Sequence, residues 1–114
     1  MAKAKIPGPL ERRHVVQRGL DPAHALRIAE VYLSQGRALE AIDFLRKADA
    51  ADRLAELRRE AVVAGDAFLL RAVATAIGAT PARDEWRELA EAATAAGKDA
   101  YAAEARRQAE RGGD

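Results

Sequence analysis

A glycine recurs between two helix-like segments at nearly regular spacing, and this repeat constrains the fold more than any other feature of the sequence. The glycines are Gly36, Gly65 and Gly97, which lie 29 and 32 residues apart. Each separates two segments of about three to four helical turns. A glycine at such a junction relieves the steric cost of positive φ where one helix turns back on the next. Repeated pairs of short helices are typical of a stacked helical array.

The composition indicates a core formed by close approach of helix backbones. Alanine accounts for 29 of the 114 residues, whereas aromatic residues make up only 4%. Alanine is the best helix former, and the β-branched residues that favour strands are scarce. The sequence therefore predicts an all-α protein and excludes a sheet protein. The absence of cysteine also excludes a disulfide-stapled module.

Local start signals predict about seven helices and no strand. Four helix N-termini carry a capping side chain, two of them with proline at the first helical position: Asp21-Pro22, Asp52, Asp66 and Thr80-Pro81. We expect a single repeat domain over residues 10–111. It comprises a capping helix at 10–19, preceded by a flexible lead-in at 1–9, and three repeat units at 21–49, 50–79 and 80–111.

The large apolar side chains are expected to pack in the core. In the helix after Asp66, the residues at helical spacing that should face inward are Leu69, Leu70, Val73 and Ile77. The aromatic residues are also interpreted as packing residues, although Trp86 could lie at the edge of a groove: Tyr32, Phe44, Phe68, Trp86 and Tyr101.

Large and small residues alternate at characteristic positions in the units. The first unit contains Ile28-Ala29, Tyr32, Gly36, Ala41-Ile42, Leu45 and Ala48, and the third contains Trp86, Leu89-Ala90, Ala93, Gly97, Ala102 and Ala109. At these spacings the chain, over roughly residues 22–110, resembles the tetratricopeptide repeat (TPR) family. The middle unit departs from the pattern, because Arg58 and Leu70 stand where the family has small residues. Its 29-residue spacing is also shorter than the family's usual repeat of about 34 residues.

The TPR resemblance implies a right-handed stack of antiparallel helical hairpins whose first helices line a concave face. Mapped onto this chain, the residues facing the groove are Leu26, Glu30, Leu33, Ser34, Arg59, Val62, Val63, Arg87, Glu91 and Thr94. Such a mixed apolar and charged surface is typical of a groove for a protein or peptide. The resemblance therefore implies a non-enzymatic protein–protein interaction module with an unknown protein or peptide partner. Self-association as a homodimer through Tyr101 and the alanines of the last helix is an open alternative.

Two other function classes remain as alternatives. A cofactorless helical enzyme subunit would need Ser34, the single serine, to meet a histidine such as His24 and a carboxylate. No catalytic residue, cofactor or metal site is predicted. A helical regulator could bind nucleic acid through its arginine pairs: Arg12-Arg13, Arg58-Arg59 and Arg106-Arg107. Neighbouring glutamates and a net charge of +1 argue against that role.

The sequence gives no sign of a membrane-bound or secreted protein. Its first residues lack the apolar segment of a signal peptide. No apolar run approaches the roughly 20 residues needed to cross a bilayer. We therefore expect a cytoplasmic protein without a membrane partner.

Overall fold

A computed structural model describes residues 21–111, and the regular elements in this range are all α-helices. They are α1 (Pro22–Ser34), α2 (Ala38–Lys47), α3 (Ala51–Ala64), α4 (Ala67–Ile77), α5 (Arg83–Ala95) and α6 (Asp99–Glu110). The all-α prediction is confirmed for this part of the chain, which contains no strand. The predicted lead-in at 1–9 and capping helix at 10–19 lie outside the described residues. None of the six described helices has the length and apolar character required to cross a membrane.

The described chain divides into two compact units between Leu54 and Ala55. In the first unit, α1 and α2 pack against each other across a short connection that contains Gly36, whose φ is 72°. Tyr32 and Phe44 form the centre of this pair, with ring centroids 5.6 Å apart and ring planes inclined by 22°. Both rings are almost fully buried, as the sequence predicts.

Two polar contacts stabilise the first unit, one at the start of α1 and one between α1 and α3. The backbone N–H of His24 donates to Asp21 Oδ2 at 3.1 Å, which confirms the predicted N-cap with proline at the first helical position. At the other edge, Arg53 Nε donates to Glu30 Oε2 at 3.0 Å. This ion pair attaches the start of α3 to the middle of α1.

The second unit is built around a core in which most side chains are alanine. Four larger residues, one from α3, one from α4 and two from α5, fill its centre: Val62, Leu70, Trp86 and Leu89. The alanines surround them: Ala61, Ala67, Ala90, Ala93, Ala102, Ala105 and Ala109. Helix α6 packs along α5 and also contacts α4. The burial of Trp86, at 2% exposure, shows that this ring packs in the core and does not lie at a groove edge.

The turn after α3 lies directly on the backbone of α5. Gly65 has φ of 70°, and a Cβ atom placed there would lie 2.6 Å from both N and Cα of Ala93. Nearby, Lys98 Nζ donates to the carbonyl of Ala64 at 2.8 Å. Gly65 is therefore required for two reasons, its left-handed conformation and its contact with a neighbouring backbone.

Arg58 fixes the start of α5 through a set of short hydrogen bonds. Its Nε and Nη2 donate to the two carboxylate oxygens of Glu85, each at 2.7 Å, and its Nη1 donates to the carbonyl of Ala79 at 2.8 Å. Glu85 also accepts from the N–H of Ala82 at 2.9 Å. The hydrogen bonds from Arg58 lower the pKa of Glu85 despite partial burial, because they favour the charged carboxylate.

The structure corrects two predicted helix starts. Helix α5 begins at Arg83, not at Pro81, because Glu85 satisfies the N–H of Ala82 and so makes Ala82 the N-cap. Helix α3 begins at Ala51, so that Asp52 lies in its first turn and does not cap it. The cap at Asp66 is confirmed, since its Oδ1 accepts from the N–H of Leu69 at 3.0 Å.

Two residues expected in the core lie on the surface. Phe68 is 62% exposed and Ile77 is 39% exposed. On α4 the buried positions are Ala67, Leu70, Val73 and Ala74, a stripe with helical spacing. Phe68 points away from this stripe, since successive residues of a helix are rotated by about 100°.

We predict that Gly65→Ala destabilises the second unit more than Gly97→Ala. Gly97 has φ of 74°, and a Cβ atom added there would have no other atom within 4 Å, so alanine costs about 1 kcal/mol of backbone strain. At Gly65 the clash with Ala93 adds to that strain, for a total of about 3 kcal/mol. Urea unfolding followed by the fluorescence of Trp86, the single tryptophan, measures both losses. Equal losses would contradict the close approach.

We also predict that Glu85→Gln lowers the free energy of unfolding by about 1–2 kcal/mol, because it breaks a bidentate, partly buried ion pair. The control is Glu88→Gln, which removes a carboxylate 2.7 Å from the exposed Arg59 and should have a much smaller effect.

Because the pKa of Glu85 is lowered in the folded state, its contribution to stability is complete above the ordinary glutamate pKa and is lost as pH falls through the lowered pKa. The difference between wild type and Glu85→Gln should therefore shrink in acid.

Candidate functional site

The groove residues mapped from the repeat pattern belong to different units. Leu26, Glu30, Leu33 and Ser34 lie on α1 in the first unit, and the other six residues of the predicted site lie in the second. Leu26 is 37% exposed and Leu33 is half-buried. Glu30 is exposed and forms the ion pair with Arg53 described above. The α1 residues therefore offer a small apolar surface next to a neutralised carboxylate.

On α3 the structure separates the two predicted valines. Val63 is 61% exposed, whereas Val62 is 1% exposed and belongs to the core of the second unit. The assignment of Val62 to a binding surface was therefore wrong, because the rotation of α3 turns it inward. Arg59 is exposed and pairs with Glu88 at 2.7 Å.

Three predicted residues line one shallow cleft between α5 and α6. Arg87, Glu91 and Thr94 lie on α5, and the cleft is completed by Ala90, Ala95, Arg106, Ala109 and Glu110. Arg106 Nη2 donates to the Thr94 hydroxyl at 2.7 Å, and that hydroxyl donates to the carbonyl of Ala90 at 2.9 Å. The floor of this α5–α6 cleft consists of alanines and carries no aromatic ring.

A second cleft lies between α4 and α6, and the sequence did not predict it. This α4–α6 cleft is lined by Ala67, Phe68, Arg71, Ala72, Thr75, Ala100, Tyr101, Glu104 and Arg107. Its volume of about 590 Å³ is close to the 600 Å³ of the α5–α6 cleft, so size does not distinguish them. The lining residues do distinguish the two clefts, because the α4–α6 cleft combines exposed Phe68 with half-buried Tyr101.

A signal for the α4–α6 cleft was present in the sequence. Phe68, Arg71, Ala72 and Thr75 follow the spacing of one helix face, distinct from the buried face of α4. The run Phe68-Leu69-Leu70 obscured it, since three consecutive apolar residues cannot all face the same side of a helix. The spacing of the polar residues Arg71 and Thr75 identifies Phe68 as the exposed residue of the three.

A carboxylate lies between two arginines in the α4–α6 cleft. Glu104 accepts hydrogen bonds from Gln108 Nε2 at 2.8 Å and from Arg107 Nη2 at 2.6 Å, and Arg71 Nη1 lies 3.7 Å from its second oxygen. These donors, first Gln108 and then Arg107, lower the pKa of Glu104. The carboxylate is therefore ionised at neutral pH and already supplied with donors.

The residues of the enzyme alternative are not brought together in the described part of the chain. His24 lies at the start of α1 and Ser34 at its end, ten positions apart, which corresponds to about 15 Å along the helix axis. The Ser34 hydroxyl donates to the carbonyl of Val31 at 2.7 Å. Within residues 21–111, no three histidine or acidic side chains are grouped as a metal site.

The arginine pairs in the described range are engaged by other groups. Arg58 binds Glu85, Arg59 binds Glu88, and Arg107 binds Glu104. Arg106 donates to the Thr94 hydroxyl. The remaining pair, Arg12-Arg13, lies outside the described residues. Carboxylate partners at three of these four arginines reduce the field that a nucleic acid backbone would meet.

No protein-family model matches this chain, and comparisons with curated proteins and with solved structures find no match either. The resemblance to the TPR family consequently rests on the sequence pattern. Function is therefore inferred from the geometry of the clefts in the second unit.

Proposed function

We propose that this chain is a non-enzymatic module of the TPR-like type that binds a protein or peptide partner through its helical surface. The repeat pattern supports the proposal, and so do the glycines between its helices. Gly36, Gly65 and Gly97 all have φ between 70° and 74°, as expected where one helix turns back on the next. The packed pairs α1 with α2 and α5 with α6 are consistent with helical hairpins of such a repeat.

The exposure of Phe68 is the observation that carries the proposal. A phenylalanine 62% exposed on the surface of a helix is available to a partner, and covering its ring removes apolar area from water. Complete burial of such a ring contributes about 1.5–3 kcal/mol to binding. Aromatic residues, phenylalanine among them, and arginine are enriched at protein interfaces relative to the rest of the surface. The α4–α6 cleft contains both types.

The predicted groove residues provide further candidate surfaces for the same function. Val63 is as exposed as Phe68, and Arg87, Glu91 and Thr94 share the α5–α6 cleft. Two exposed apolar residues on different helices thus allow the faces to be tested separately, with each variant serving as the control for the other.

The test uses the full chain, immobilised as bait in an extract of its native host. We expect a partner to be retained by wild type and by Val63→Ser and to be lost by Phe68→Ser, because serine removes most of the apolar area at either position. Quantitative mass spectrometry measures the retained proteins. Circular dichroism and the fluorescence of buried Trp86 check that each variant is folded.

If the partner is instead lost only by Val63→Ser, the binding surface lies on α3 and the proposed function stands. Retention that neither substitution alters would contradict both faces. If no protein is retained, light scattering distinguishes the remaining cases. A mass that rises with concentration and returns to the monomer in Phe68→Ser identifies a second copy as the partner, and a monomer at all concentrations contradicts the proposal.

A further inference from the structure

We propose that the α4–α6 cleft binds a partner segment that is both apolar and acidic, with an aliphatic or aromatic side chain on Phe68 and a carboxylate at Arg71 and Arg107. The inference rests on the proposed function and adds the chemistry of the partner. It follows from two features of the cleft, its exposed ring and its excess of positive charge.

The apolar half of the cleft has the shape of a shallow platform. Phe68 from α4 and Tyr101 from α6 supply the rings, and alanines at 67, 72 and 100 surround them. Alanine side chains are too short to cover the exposed part of Phe68. A partner side chain therefore finds an open aromatic surface bordered by small residues, which suits a large aliphatic or aromatic group.

The polar half carries more donors than its own carboxylate uses. Glu104 is held by Gln108 and Arg107 at hydrogen-bond distance, whereas Arg71 lies 3.7 Å away and its side chain is 61% exposed. A guanidinium has five N–H donors, so both arginines retain donors for a second carboxylate. Two positive charges against one negative charge leave a net charge of +1 in the cleft.

The positive charge extends beyond the cleft at one end. Arg71 and Thr75 also line an adjoining cleft at the end of α4, and Arg111 lies in that neighbouring space. The nearest acidic residue of α6 on the opposite side is Asp99, eight positions before Arg107 and thus about 12 Å along the helix. Asp66, at the start of α4, is occupied in capping Leu69. Phe68 consequently lies at the end of the cleft near Asp66 and Asp99, and the arginines lie at the opposite end. This difference in charge between the two ends would give a bound segment one preferred direction.

The test selects a displayed library of random peptides on the immobilised full chain. We expect enriched peptides to carry a large apolar residue close to aspartate or glutamate, because the cleft combines an exposed ring with excess guanidinium donors. A synthetic copy of the most enriched peptide is then labelled with fluorescein, and its affinity is measured by fluorescence anisotropy.

Two variants and one matched control locate the binding. Phe68→Ser is expected to weaken binding about tenfold or more, and Arg71→Gln about fivefold or more. Arg46→Gln is the control, because Arg46 on α2 is 62% exposed and lies 3.9 Å from one acidic side chain, very nearly the situation of Arg71. Binding to Arg46→Gln should be unchanged. Added salt should weaken the wild-type complex and have less effect on Arg71→Gln.

Enrichment of neutral or basic peptides, no enrichment, or affinity that Arg71→Gln leaves intact would overturn the inference. A single-stranded oligonucleotide that binds through Arg71 without any dependence on Phe68 would also overturn it and would favour a phosphate ligand. If a host protein is captured through Phe68 while the library yields no acidic peptides, the proposed function stands and only the partner chemistry is wrong. If capture and selection both fail and the chain is a monomer at all concentrations, both proposals fail.

Discussion

The contact of Gly65 with the backbone of Ala93 is the constraint on which the second unit depends. A Cβ atom added at Gly65 would lie 2.6 Å from two backbone atoms of α5, so the turn and the helix meet with no side chain between them. The core is packed equally closely, because alanines of four helices surround a few large residues. Helices that approach so closely leave little volume for a further ring. Phe68 is therefore excluded from the interior although it is the bulkiest residue of α4.

Arg58 departs from the repeat pattern that the sequence resembles, and its guanidinium finds several partners in the second unit. The family pattern has a small residue at this position, and a guanidinium there must find partners for its donors. Glu85 and the carbonyls of Ala79 and Thr80 supply them. The resulting contact connects α3 to the loop before α5 and orients the carboxylate that accepts from Ala82. The Arg58–Glu85 pair thus explains why α5 starts two residues after the proline.

The features that the sequence predicts well are those determined by neighbouring residues. Asp21 and Asp66 cap their helices because the cap acceptor and its N–H donor are three residues apart. The left-handed glycines follow from the same local geometry. In contrast, the start of α5 depends on an ion pair between residues 27 positions apart, which no local pattern reveals.

The exposed residues that are candidates for binding were harder to predict, because the rotation of each helix determines which side chains face solvent. Val62 and Val63 are chemically identical, and only the packing of α3 determines that the first is buried and the second exposed. Arg87, Glu91 and Thr94 line one cleft, since positions four and seven residues apart share a helix face. Phe68 was missed because its two apolar neighbours satisfy the pattern of a buried residue equally well.

The difference between the two clefts explains why we propose partner binding at α4 and α6. In the α5–α6 cleft, Arg87 and Arg106 are balanced by two glutamates, and the apolar floor is alanine. A partner would gain little area there and would meet no excess charge. The α4–α6 cleft provides an exposed ring, which can contribute affinity, and an uncompensated arginine, which can select the sign of the partner's charge. The ring and the arginine are different residues, so a substitution of one changes affinity and a substitution of the other changes selectivity for charge. The proposal of an apolar and acidic partner can therefore be tested one residue at a time.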